Sequence, residues 1–144
     1  MNISSSAFEN EGIIPSEFTC DGQDLSPPLS ITNVPKNAKT LSIIMDDPDA
    51  PMGTFTHGIV WNIPLTRRSL QGVKSLILLK DVLVLEHRSM EDHVLHLALI
   101  DIFKIYALDA KLDLKQGSGV KELQSAMSGH IVAEAVLMGK YSRR

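Results

Sequence analysis

One stretch of the chain gathers side chains that can exchange a proton or hold a charged group. Asp47-Pro48-Asp49-Ala50-Pro51 sets two carboxylates among prolines, and His57 follows shortly after. A carboxylate near an imidazole suits general acid–base chemistry, because the pair can hold and hand over one proton. Imidazolium also offers a charged hydrogen-bond donor near neutral pH. Pro48 and Pro51 stiffen the loop, which lowers the ordering cost of binding anything there. On spacing alone the plainer reading is the stronger one: a proline-rich turn with surface acids, followed by a strand histidine. Covalent catalysis finds little support. The chain has no Gly-x-Ser-x-Gly elbow, no phosphate-cradling glycine loop and no Rossmann glycine pattern, so no nucleotide cofactor or other cofactor is expected.

The remaining reactive residues carry less. His93 and His96 are three apart and would share a helix face, with His87 nearby. His-x-x-His lacks the four-residue spacing and intervening Glu of a zinc protease, so no metal site is expected. Cys20 is the only cysteine, which excludes an internal disulfide and a Cys-rich structural zinc site. No basic residue lies close to it in sequence to activate the thiol, and it reads as inert. His130, at the Gly129-His130-Ile131 junction, reads as structural.

The elements that must position the Asp-Pro loop and His57 are mostly strands. Asp21-Gly22, Ser26-Pro27-Pro28, Val34-Pro35-Lys36-Asn37 and the 47–51 loop are turn signals about ten residues apart, which leaves no helical window between them. Leu41–Met45 is apolar at 41, 43 and 45, and His57–Ile63 is rich in β-branched and aromatic residues up to Pro64; both predict strands. Val120, Leu123, Ala126 and Met127 give one short amphipathic helix closed by Gly129. The run from His130 to Leu137 is expected to be a final strand, with a bend at Gly139. The expected architecture is a mainly β, two-sheet antiparallel sandwich with a short helix near the C-terminus.

Length and composition bound the rest. With 144 residues, 44% hydrophobic and 22% charged, one globular domain over 1–144 is expected and intrinsic disorder is excluded. A net charge of −3, from 17 acidic and 14 basic residues, argues against an electrostatic grip on nucleic acid or anionic lipid. No run approaches the roughly twenty apolar residues of a membrane span, so no integral membrane association is expected. Met1-Asn2-Ile3-Ser4 has neither a basic segment nor a signal core, and the expected location is cytoplasmic. The middle of the chain conflicts with both ends. From Ser75 to Ile105 there is no Gly and no Pro, and Met90–Ile100 reads locally as a helix without a polar face.

Three segments, in order, resemble the prokaryotic branch of the phosphatidylethanolamine-binding protein family, also called Raf-kinase-inhibitor-like proteins. They are Thr19-Cys20-Asp21-Gly22-Gln23-Asp24-Leu25-Ser26-Pro27-Pro28-Leu29, then the 47–51 loop with Gly53-Thr54-Phe55-Thr56-His57 and Asn62-Ile63-Pro64, and finally Tyr106-Ala107-Leu108-Asp109 with Ala126–His130 and Gly139-Lys140-Tyr141. The likeness covers roughly residues 7–74 and 104–141. It implies a β-sandwich with a C-terminal helix and a small anion pocket at one end, with Asp47, Asp49, Pro51 and His57 as ligand-binding residues and none catalytic. Expected partners are phosphate-type small anions or phospholipid head groups, with a protein kinase or protease as the target of an inhibitory surface. The alternative is a hydrolase or lyase using Asp47 and His57. Gly58 departs from the family, which usually carries a large aromatic residue there.

A second departure is larger. The family's Gly-Gly-Pro-Cys-Pro-Pro segment, a spacer and Gly-x-His-Arg-Tyr should precede Phe103-Lys104-Ile105-Tyr106, and supply half the pocket. This chain has no such segment; Leu99, Ile100 and Asp101 stand where the second pocket histidine is expected. Joining the third base of each codon to the first two of the next, with allowed synonymous codons, Ser89 through Phe103 can encode Tyr-Gly-Gly-Pro-Cys-Pro-Pro-Ser-Gly-Thr-His-Arg-Tyr-Phe. Residues 75–103 therefore read as out of frame, and the pocket is expected to be impaired.

Overall fold

The structure, a computed structural model, describes residues 1–18, 27–49, 53–65, 69–70 and 98–142. Its described elements are β1 (Asn2–Ser4), β2 (Gly12–Ile13), β3 (Leu29–Thr32), β4 (Thr40–Asp47), β5 (Phe55–Pro64), β6 (Ser69–Leu70), β7 (Ala98–Leu108), helix α1 (Val120–Met127) and β8 (Ile131–Ser142). They form a three-stranded sheet, β1-β3-β6, and a five-stranded sheet, β2-β8-β7-β4-β5. The fold is mainly β with one α-helix among the described residues, as expected.

The expectation of purely antiparallel sheets needs one correction, because β2 runs parallel to β8, with Gly12 opposite Gly139. The reason is local. Glu11 takes a left-handed conformation (φ 64°). The turn then lays the chain along β8 through Glu11 N–H to Met138 O and Ile14 N–H to Lys140 O, each 2.8 Å. Gly139 is accordingly no bend. It lies inside β8, where a Cβ would collide with the Ile14 side chain.

The β4 strand is buried on both faces. Leu41 and Ile43 join Leu29 and Ile31 of the other sheet, Val60, Phe103 and Ile105 in the core between the sheets. Ile44 points the other way, into a second cluster with Ile59, Trp61, Leu123 and Met127 under α1. The helix has the expected bounds and stops where Gly129 turns left-handed (φ 79°), a conformation that costs glycine little.

The helical reading of Met90–Ile100 fails where it can be checked. Ala98, Leu99 and Ile100 belong to β7, opposite Ser142, Tyr141 and Lys140 of β8. Pairing with β8 satisfies the backbone along that edge, and that overrides local helix preference. Met90–Leu97, with His93 and His96, lie outside the described residues, as do His87 and Cys20. No helix among the described residues is long and apolar enough to cross a membrane.

Candidate functional site

Side chains alternate along a strand, so the row Leu41, Ile43, Met45 leads to Asp47 on the inner face of β4. Asp46 falls on the outer face. There its carboxylate accepts from Thr56 Oγ1 at 2.8 Å and from Lys104 Nζ at 2.7 Å, and that hydrogen bond raises the Lys104 pKa. Asp47 has no such cation among the described residues. It is fully buried, and its Oδ1 accepts the Asp49 backbone N–H at 2.9 Å, a turn that Asp favours through its short side chain. Its Oδ2 is buried with no hydrogen-bond partner among the described residues. A buried carboxylate oxygen left unmatched is costly, so this feature calls for a reason.

His57 reaches the same face through a bulge. Met45 lies opposite Gly58 but Asp46 lies opposite Thr56, so His57 is the extra residue of β5. Strict alternation would send it to the helix side with Ile59 and Trp61. The bulge re-aims it, and its ring meets Phe55 edge-on, with centroids 5.1 Å apart. Phe55 is itself opposite Asp47.

A third group completes the cluster. On β7, Asp101 continues the inner row of Ile105 and Phe103, and its Oδ1 lies 3.6 Å from His57 Nε2. That distance is too long for a hydrogen bond, and it becomes an ion pair only when the imidazole is protonated. Burial first, and the Asp47 charge second, raise the Asp101 pKa from 3.8 to about 6. The described part of the site therefore holds one buried and one partly buried carboxylate and one imidazole at one end of the layer between the sheets.

Of the four residues expected from sequence, Asp47 and His57 come together around Phe55. Asp49 is exposed and contributes its backbone N–H to Asp47, and Pro51 lies outside the described residues. Asp101 was missed. The signal was available, since Asp101, Phe103 and Ile105 alternate, but the segment before Phe103 read as helical. A Cβ on Gly58, where the family usually carries a large aromatic residue, would meet nothing within 4 Å among the described residues. His130 pairs with Asp109 at 2.8 Å on the surface, beside the end of α1 and away from this cluster. Among the described residues no group of three or more His, Cys, Asp and Glu is placed to hold a metal ion.

Known proteins place this geometry in context. Residues 4–100 match the family model for phosphatidylethanolamine-binding protein. A UPF0098 protein of Pyrococcus horikoshii is 41% identical over 153 aligned positions, covering 97% of this chain and 76% of the relative. One from Methanothermobacter thermautotrophicus is 39% identical, over 99% of both chains. Among solved structures, a phosphatidylethanolamine-binding protein homologue from Chlamydia trachomatis superimposes with a TM-score of 0.88 at 32% identity, covering 99% of this chain and 97% of that one. Escherichia coli YbcL, described as a member of the mammalian family, gives 0.79 at 20% identity over 99% and 98% of the two chains, which speaks for the fold alone.

Proposed function

We propose, given that this chain belongs to the phosphatidylethanolamine-binding protein family, that the cleft of Asp47, His57 and Asp101 binds a small phosphate-type anion without turning it over. One observation carries the reading: a largely buried imidazole, the buried Asp47 carboxylate and the partly buried Asp101 carboxylate gather at the end of the layer between the sheets, the kind of place where a few polar groups can orient a ligand. His57 supplies the charged donor. Asp47 could either hold His57 or share a proton with the ligand, and the geometry favours the second role. The carboxylate recorded beside the imidazole is Asp101, while Asp47 keeps one oxygen unengaged among the described residues.

The hydrolase or lyase alternative has only the acid–base pair in its favour. The experiment is a titration with phosphoethanolamine, followed through the His57 ring signals by NMR. Saturable shifts at millimolar ligand are expected, with affinity falling by roughly 10- to 150-fold in His57→Ala, the worth of one charge-assisted hydrogen bond. No shift at millimolar ligand overturns the reading. Phosphoester turnover that disappears in His57→Ala would replace it with the enzyme. Inhibition of a protein kinase or protease is a separate proposal, checked by adding the chain to such an enzyme and looking for a dose-dependent loss of rate.

A further inference from the structure

Resting on that reading, we propose that the cleft selects anions that carry a proton: Asp47 Oδ2 accepts a hydrogen bond from a P–OH group, so hydrogen phosphate and singly protonated phosphate monoesters bind, while sulfate and phosphodiesters are rejected.

The argument starts from the two oxygens of one side chain. Asp47 Oδ1 is committed to the Asp49 N–H. Oδ2 is buried, in a residue with no exposed surface, and has no hydrogen-bond partner among the described residues. An ionised carboxylate can only accept, so the oxygen waits for a donor. At about pH 7 the neighbouring described groups do not offer one. Asp101, which burial and the Asp47 charge push up only to about 6, is there mostly ionised and another acceptor, and the His57 ring is turned to Phe55 and Asp101. The donor must come with the ligand.

That requirement sorts anions that are otherwise alike. Sulfate and doubly charged hydrogen phosphate have the same tetrahedral shape and the same charge, but sulfate brings only acceptors. Against Asp47 it sets oxygen on oxygen. Hydrogen phosphate presents one O–H, and O–H···O⁻ bonds are the short, strong class. A phosphate monoester, with a second pKa of about 6, still carries that proton part of the time near neutral pH. A phosphodiester, the linkage inside a membrane phospholipid, has no proton to give. The cleft thus favours free phosphate and soluble monoesters over an intact lipid head group. His57 donates to another of the ligand's oxygens, so both kinds of contact come from side chains largely shielded from water.

The test uses the whole chain and four probes: inorganic phosphate and sulfate at about pH 7, then phosphoethanolamine and glycerophosphoethanolamine at about pH 6, where the monoester is half protonated. Phosphate is expected to bind roughly 10- to 100-fold more tightly than sulfate, and the monoester more tightly than the diester by a similar factor. In Asp47→Asn the amide keeps an oxygen for the Asp49 turn and replaces the free acceptor with a donor. Sulfate binding should then rise towards that of phosphate. Equal binding of phosphate and sulfate by the unaltered chain overturns the selectivity while leaving the anion reading in place, as does a diester bound as well as the monoester. A folded Asp47→Asn chain that still rejects sulfate also overturns it. If no probe binds, the anion reading itself fails and this inference falls with it. The comparison in the unaltered chain stands whether or not the variant folds.

Discussion

Asp101 shows how a single carboxyl can stabilise or destabilise according to pH. Burial and the Asp47 charge raise its pKa from 3.8 to about 6, so the folded protein holds this proton more tightly than the unfolded chain does. Its contribution is therefore fully present below about pH 4 and is lost as pH rises through about 6. The loss is about 3 kcal/mol at most, at roughly 1.4 kcal/mol per pKa unit. Asp101→Asn should abolish that part of the pH dependence and raise the urea midpoint near pH 7, with little change near pH 4. Unfolding curves at the two pH values measure it, and an unchanged slope would mean that Asp101 titrates like an exposed acid.

At the scale of elements, the bulge in β5 decides which way His57 faces, and glycines decide how the strands and helix join. Two substitutions of the same kind should act in opposite directions. Gly58 lies within β5 with open space where a Cβ would go and no left-handed φ. Gly58→Ala should therefore stabilise by roughly 0.5–1 kcal/mol, by lowering the entropy of the unfolded chain. Gly129 also has room, but its φ is +79°, and Gly129→Ala should destabilise by about 1 kcal/mol through backbone strain at the end of α1. Denaturant midpoints of the two variants give both signs. Asn62 makes the other irregularity of β5. It is left-handed (φ 58°), and its amide pairs with both backbone groups of Leu112 at 2.8 and 2.9 Å, tying the strand to the segment that leads to α1. The strand-versus-helix question at Ala98–Ile100 also belongs to this scale, because pairing with β8 is a backbone interaction and is indifferent to a sequence pattern that suits a helix.

At the scale of the whole molecule, β4, β5 and β7 carry both hydrophobic clusters, one between the sheets and one beneath α1. Trp61→Ala, at the centre of the second cluster, should cost about 3–5 kcal/mol, measured by thermal or urea unfolding, with the proposed anion site affected only through loss of folding. The proposal that residues 75–103 are read out of frame also belongs here. A chain carrying the Gly-x-His-Arg-Tyr reading of that segment should bind phosphoethanolamine roughly 10- to 150-fold more tightly than this one, the worth of a second charge-assisted hydrogen bond. A coding sequence whose shifted frame lacks those codons would end that proposal. The strands around residues 41 and 60, the helix at 120–127 and the interest of Asp47 and His57 were legible in the chain itself, because periodicity, turn residues and short motifs are local properties. The β2–β8 pairing, the continuation of β8 through Gly139, the turning of His57 by a bulge and the arrival of Asp101 beside it were settled only by tertiary structure. Each depends on register between strands far apart in sequence, and a one-residue slip in register moves a side chain to the opposite face of the sheet.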